Sequence, residues 1–250
     1  MATAPLVDQL WQIISFALFP LIAAIVGAVI AARHPPGAGM RSNIQHLAAG
    51  VVFSVVAVEI LPDVTHRQHP LLLTIGFSLG VALMLGLEWY SGHAEKGEGG
   101  DANSSSNLSL FAALGLDVFL DGLLIAISFK AGANAGKLLA LALSVELLST
   151  ALALSSTLSR QGISFMRNVG TNAAIFSLLV VGAAVGAWFS PYLEGVILDL
   201  ILSFGLAALL FLVTEELLVE AHKEPETPFS TALFFIGFLA FLLLGMAHPT

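Results

Sequence analysis

Two aspartates, Asp117 and Asp121, stand four residues apart in an apolar run over residues 108–129 that holds no other charge. On a helix that spacing puts both carboxylates on one face, one turn apart. A carboxylate in hydrocarbon costs on the order of 2.5–3.5 kcal/mol on insertion scales, and more by simulation. Two on one face imply a bound cation, a proton or a water-filled cavity, and each of these points toward ion movement across a membrane.

The next apolar run supplies Glu146, with Ser149 and Thr150 one turn further on. The connection between the two runs, residues 130–137, is short and breaker-rich, which predicts antiparallel neighbours whose midpoints meet. Asp117, Asp121 and Glu146 would converge there, with Ser149 as a weak neutral ligand. Oxygen-only ligands suit Mn²⁺, Mg²⁺, Ca²⁺ or Fe²⁺, whereas imidazole and thiolate favour Zn²⁺ and copper. The competing structural reading is a protonated carboxyl pair hydrogen-bonded inside the bundle, to Asn172 or Ser128.

Glu59, Glu215, Glu216 and Asp199 fall near span ends, where carboxylates reach interfacial water. Asp199 and Glu215 read as solvated; Glu59 and Glu216 are the better candidates for an ion entrance or exit. All seven histidines are placed in loops or at span ends. Most read as simply solvated, while His66 and His69 beside Asp63 form a group able to collect a metal ion transiently near the outer face.

The elements that must position these residues follow from composition. At 57% hydrophobic and 10% charged, against roughly 25% charged in soluble domains, the chain reads as an integral membrane protein. Apolar stretches long enough to span begin near Leu10, Ile44, Leu71, Leu108, Leu138, Val169, Val196 and Phe229. The expected fold is therefore all-α, a single polytopic membrane domain of eight helices over residues 1–250. The alternating ten-residue pattern of a membrane β-barrel is missing from the sequence. The first span is too long for a signal-peptide core and lacks a positive segment before it, so it reads as a retained helix. With no cysteine, disulfides and thiolate metal sites are excluded.

Net charge is −8, and no nucleic-acid partner is expected. All nine Lys and Arg residues fall in connections or at span ends, so the acids at depth have no basic partner there and structural ion pairing does not explain them. Arg33, Arg41, Lys96, Arg160, Arg167 and Lys223 lie in connections after odd-numbered spans. Arg67, Lys130 and Lys137 lie on the other side, a bias that places the first group inside and both termini outside. The expected location is the cytoplasmic (inner) membrane of a bacterium. Residues 91–107, rich in Gly and Ser, read as a flexible inner-face loop between the third and fourth helices. Gly76 with Gly80, and Gly182 with Gly186, are spaced for close helix packing.

Glu59-Ile60-Leu61-Pro62-Asp63 at the end of the second span has a faint echo in Glu216-Leu217-Leu218-Val219-Glu220 at the end of the seventh. Such echoes arise by chance or from the internal repeats on which many transporters are built. The run LGLDVFLDGLLIAISFKAG resembles the fourth helix of the ZIP family of divalent-metal transporters, whose pattern is His-Asn-x-x-Glu-Gly. LALALSVELLSTALALSSTLSRQGIS is similar to that family's fifth helix, with its His-Glu-x-x-Glu-Gly pattern. HLAAGVVFSVVAVEILPDV resembles the second helix and LLFLVTEELLVEAH the seventh.

Position by position, the resemblance puts Asp117 where the family has His, Val118 where it has Asn and Asp121 where it has the acid, with Gly122 retained. Val145 replaces the first ligand of the fifth helix, Glu146 keeps the second, and Ser149 replaces the acid. The resemblance thus implies one cation at an all-oxygen site, an inverted-repeat bundle, a homodimer in the bilayer and an elevator-like movement.

The function expected is secondary transport of divalent metal cations (Mn, Fe, Mg or Zn), the ion being substrate and not a prosthetic group. Asp117, Asp121 and Glu146 would be its ligands, with Ser149, Glu59, Glu216 and Asn172 as auxiliaries. The alternative is a transport-inactive ion-binding or sensing protein of the same fold, favoured by Val118, Val145 and Ser149. No enzyme is expected. Asp117 and Asp121 share a helix, which does not suit an aspartyl protease, and no H-E-x-x-H pair is present.

Overall fold

The computed structural model describes residues 3–96, 105–225 and 227–247, with side chains described over 8–89, 111–225 and 227–247. The described secondary structure is entirely helical. Among the described residues, eight segments are long and apolar enough to cross a membrane: Asp8–Arg33, Ala38–His66, Pro70–Trp89, Phe111–Ala131, Ala133–Arg160, Phe165–Tyr192, Gly195–Ala221 and Pro228–Ala247. The molecule is thus an all-α polytopic membrane protein, as its hydropathy requires: inside a bilayer each backbone amide must be bonded within its own segment.

The first span is α1 (Thr3–Arg33). The second combines α2 (Ala38–Val55), a π-helical turn over Val56–Ile60 and α3 (Leu61–His66). Spans three to five are α4 (Pro70–Lys96), α5 (Ser105–Ala131) and α6 (Ala133–Arg160). The sixth is broken into α7 (Phe165–Phe176) and α8 (Leu178–Phe189). The seventh joins α9 (Gly195–Phe211), a second π turn over Leu212–Leu217 and α10 (Leu218–Ala221), and the eighth is α11 (Pro228–Ala247).

Two expected connections are shorter than the sequence indicated. Residues 130–137 contain only one break, at Gly132, because alanines on both sides continue the helices. The helices flanking the expected 91–107 loop reach Lys96 and restart at Ser105, and its centre, residues 97–104, lies outside the described residues.

The core is centred on spans five and seven, with 61% and 67% of their apolar windows buried, while spans three and eight, at 17% each, turn most of their surface outward. The closest pairings are α1 with α6, α2 with α11, α5 with α8, and α4 with α9. Small residues permit them. A Cβ on Gly122 would run into the Leu179 carbonyl, and one on Gly182 into the Phe119 carbonyl, so α5 and α8 touch backbone to backbone. Gly76 and Gly80 do the same for α4 against the Leu200 and Phe204 carbonyls of α9. Both expected close-packing pairs are therefore used, and the first seam fixes the height of Asp121, the residue next to Gly122.

Candidate cation site

Asp121 on α5 is 3% exposed and Glu146 on α6 is 2% exposed. The α5–α6 contact expected from the short connection is present. Thr150, one turn on from Glu146, donates its hydroxyl to Glu146 Oε1 at 2.8 Å. The other oxygen, Glu146 Oε2, is buried with no hydrogen-bond partner, and so is Asp121 Oδ2. Ser149 Oγ and Asn172 Oδ1 are likewise buried and unpartnered. Buried polar atoms are nearly always satisfied in folded proteins, and each exception asks for a missing partner such as a water or an ion. Four such atoms on α5, α6 and α7 are all among the residues expected to bind or assist a cation.

Asp117 is half-buried and opens onto a cavity of about 250 Å³ lined also by Glu88 of α4 and by Glu215 and Glu216 of the second π turn. The charges act on one another across these helices: Asp121 feels Asp117, Glu146 and Glu216, and Glu216 feels Asp117, Glu146 and Glu88. The acids therefore come from two spans, three and seven, beyond the two that the sequence reading joined directly. Among the described residues, however, no group of three or more His, Asp or Glu side chains is drawn together tightly enough to hold a metal ion. The arrangement is an acid-lined interior with unpartnered oxygens, not a closed cage.

Glu59 and Glu216 do not lie at the ends of their spans. Each sits in a π-helical turn, and the helix continues past it to His66 and Ala221. A π turn adds a residue to one helical turn and leaves local backbone bonding loosened, a feature frequent at functional sites. Glu59 Oε1 lies against Gly245 of α11, 3.3 Å from where its Cβ would stand. Glu88 was missed by the sequence reading because it falls at the end of the third span; only its place in the lining of the Asp117 cavity marks it. Asn172 was expected as an auxiliary. Its side-chain nitrogen donates to the carbonyl of Asn168 and to Asn168 Oδ1, both at 3.0 Å. Neither it nor Ser128 relieves Asp121 Oδ2, so the hydrogen-bonded-pair reading has no support from this geometry.

Asp199 corrects the expectation that interior acids lack basic partners. It is 7% exposed, near the start of α9, and Arg67 from the connection after the second span donates Nη1–H to its Oδ1 at 2.8 Å. Arg67 also donates Nε–H to Asp63 Oδ2 at 3.2 Å, and His69 Nε2 lies 3.7 Å from Asp199 Oδ2. Partial burial works against the Arg67 charge, but its hydrogen bonds to Asp199 and Asp63, and their negative charges, outweigh that and raise its pKa above the ordinary arginine value. Asp63 is thus engaged by Arg67, and His69 lies beside Asp199. His46, expected as a solvated histidine, is 3% exposed, because α2 begins at Ala38 and carries it two turns inward.

Set against known proteins, the chain matches no family model and no curated sequence.

Proposed function

We propose that the chain is a secondary transporter of divalent cations and a divergent relative of the ZIP family, with Asp117, Asp121 and Glu146 as the principal ligands. The observation that carries the reading is the pair of buried, unpartnered carboxyl oxygens, Asp121 Oδ2 and Glu146 Oε2, with an acid-lined cavity at Asp117, one helical turn from Asp121. An incoming cation supplies what these oxygens lack. Ser149 Oγ and Asn172 Oδ1, also buried and unpartnered, are the neutral oxygens that this reading adds as auxiliaries. Glu216, Glu215 and Glu88 line the approach, and a hard ion such as Mn²⁺, Fe²⁺ or Mg²⁺ suits the all-oxygen donor set better than Zn²⁺.

The inverted repeat is supported by the pairing of spans. If spans one to three correspond to spans six to eight, and four exchanges with five, the α1–α6 contact maps onto α8–α5 and the α2–α11 contact onto α9–α4. The two π turns then occupy equivalent places, each holding glutamate. Homodimer formation, elevator motion and an inner-membrane orientation with both termini outside belong to the same proposal.

Uptake of Mn²⁺ into metal-free proteoliposomes tests it. Saturable flux that Asp121→Ala abolishes supports transport. Metal-dependent stabilisation without any flux would favour the inactive ion-binding relative, a reading that the open ligand set and the apolar Val118 and Val145 favour.

A further inference from the structure

Where α1, α6 and α11 meet, a groove of about 210 Å³ is lined by Phe16 of α1, by Asn134, Lys137, Leu138 and Leu141 of α6, and by Leu244 of α11. The four α6 residues follow one another at helical spacing and form a single stripe. The stripe is ordered by polarity. Asn134 and Lys137 stand in the first two turns after α6 begins at Ala133, and the leucines follow toward the middle of the span. Leu141 lies roughly 6 Å deeper than Lys137 along the helix axis.

The two lysines on either side of the break at Gly132 differ in their surroundings. Lys130 Nζ lies 4.0 Å from Glu194 Oε1. Lys137 is half-buried in the groove, and among the described residues no carboxylate pairs with it. A lysine near a span end runs its four-carbon stem along apolar surface and holds its ammonium at the level of the lipid headgroups. There the abundant counter-charge is phosphate. A soluble anion would answer the charge and leave Leu138, Leu141, Phe16 and Leu244 uncovered, whereas an amphiphile answers both halves of the groove.

We infer that this groove binds a phospholipid of net negative headgroup, such as a phosphatidylglycerol, with its phosphate on the Lys137 ammonium and one acyl chain along the α6 stripe. Basic pockets between membrane helices bind anionic headgroups on the same principle. Headgroup charge sets the preference, because a zwitterionic lipid carries its own ammonium, which competes with Lys137 for the phosphate. The bound lipid fills a seam between three spans and so stabilises their packing. The inference uses none of the interior acids and does not rest on transport.

The test is thermal unfolding of the full-length protein, stripped of lipid in a neutral detergent and titrated with phosphatidylglycerol or with phosphatidylcholine of the same acyl chains. Lipid bound to the native state alone raises Tm. Half-maximal stabilisation is expected at a phosphatidylglycerol concentration about fivefold below that of phosphatidylcholine, the size of effect expected from one basic residue facing an anionic lipid. Lys137→Gln should remove that preference, Lys137→Arg should keep it, and Lys130→Gln should keep it as well. Lys137→Met, which preserves the apolar stem and guards against a folding defect, should behave as Lys137→Gln does. Glycerol phosphate, which has the anion without the chains, should not stabilise the protein. A preference that survives in Lys137→Gln and Lys137→Met, one that is lost equally in Lys130→Gln, or equal stabilisation by glycerol phosphate overturns the assignment.

Discussion

Asp121 and Asp199 are both aspartates with almost no exposed surface, yet their surroundings differ completely. Asp199 is held by Arg67, which also binds Asp63, and every charge in that cluster has an answer. Asp121 stands next to the Gly122 of the α5–α8 seam with Oδ2 unpartnered, facing other acids and, among the described residues, no base. Burial alone therefore does not mark a functional acid. A buried charge with a partner is part of the scaffold, whereas one without a partner implies something that arrives from outside.

The largest expected effect separates the two outright. Asp121→Ala should abolish both Mn²⁺ uptake and the metal-dependent rise in Tm, because binding adds RT ln(1 + [L]/Kd) to stability and the ligand is gone. Asp199→Ala should keep the metal-dependent shift. If a thermal scan with and without Mn²⁺ finds both variants alike, the distinction between them fails.

Metal-free stability should reverse the ranking. Asp199→Ala removes a hydrogen bond between charged groups, costing about 1.5–3 kcal/mol, and leaves Arg67 with only Asp63. Asp121→Asn removes a charge that had no counter-ion, so unfolding without metal should show a neutral or stabilising change. A large loss of metal-free stability in Asp121→Asn would mean that Asp121 is structural after all.

A smaller effect concerns ion choice. Asp117→His together with Val145→His would add imidazoles to an all-oxygen set and should move preference toward Zn²⁺ over Mn²⁺ by about tenfold, or 1.4 kcal/mol. Isothermal titration of both proteins with both ions measures it, and an unmodified protein already preferring Zn²⁺ by that margin would show that donor softness is not what selects. The smallest effect is at Thr150. Thr150→Val removes the hydroxyl that holds Glu146 Oε1, worth about 1 kcal/mol, and should weaken Mn²⁺ binding several-fold while leaving the Asp199 cluster untouched.

Much of this was legible from one-dimensional pattern. Hydropathy set eight spans, because a membrane segment must satisfy its own backbone and the required length is fixed by bilayer thickness. The four-residue spacing of Asp117 and Asp121 and the proximity of Glu146 in the next span were equally readable, since helical period and a short connection are local properties. Other features depended on contacts far apart in sequence. That Arg67 reaches Asp199 across 132 positions, that Glu88 joins the Asp117 cavity, and that Lys137 shares a groove with Phe16 and Leu244 follow only when spans from distant parts of the chain pack together. The π turns around Glu59 and Glu216 were also invisible, because the apolar pattern runs through them unchanged. The sequence by itself determined which residues are too costly to bury without a purpose; the tertiary structure decided which of them found partners within the chain, because a counter-charge is a matter of distance in space and not of position along the chain.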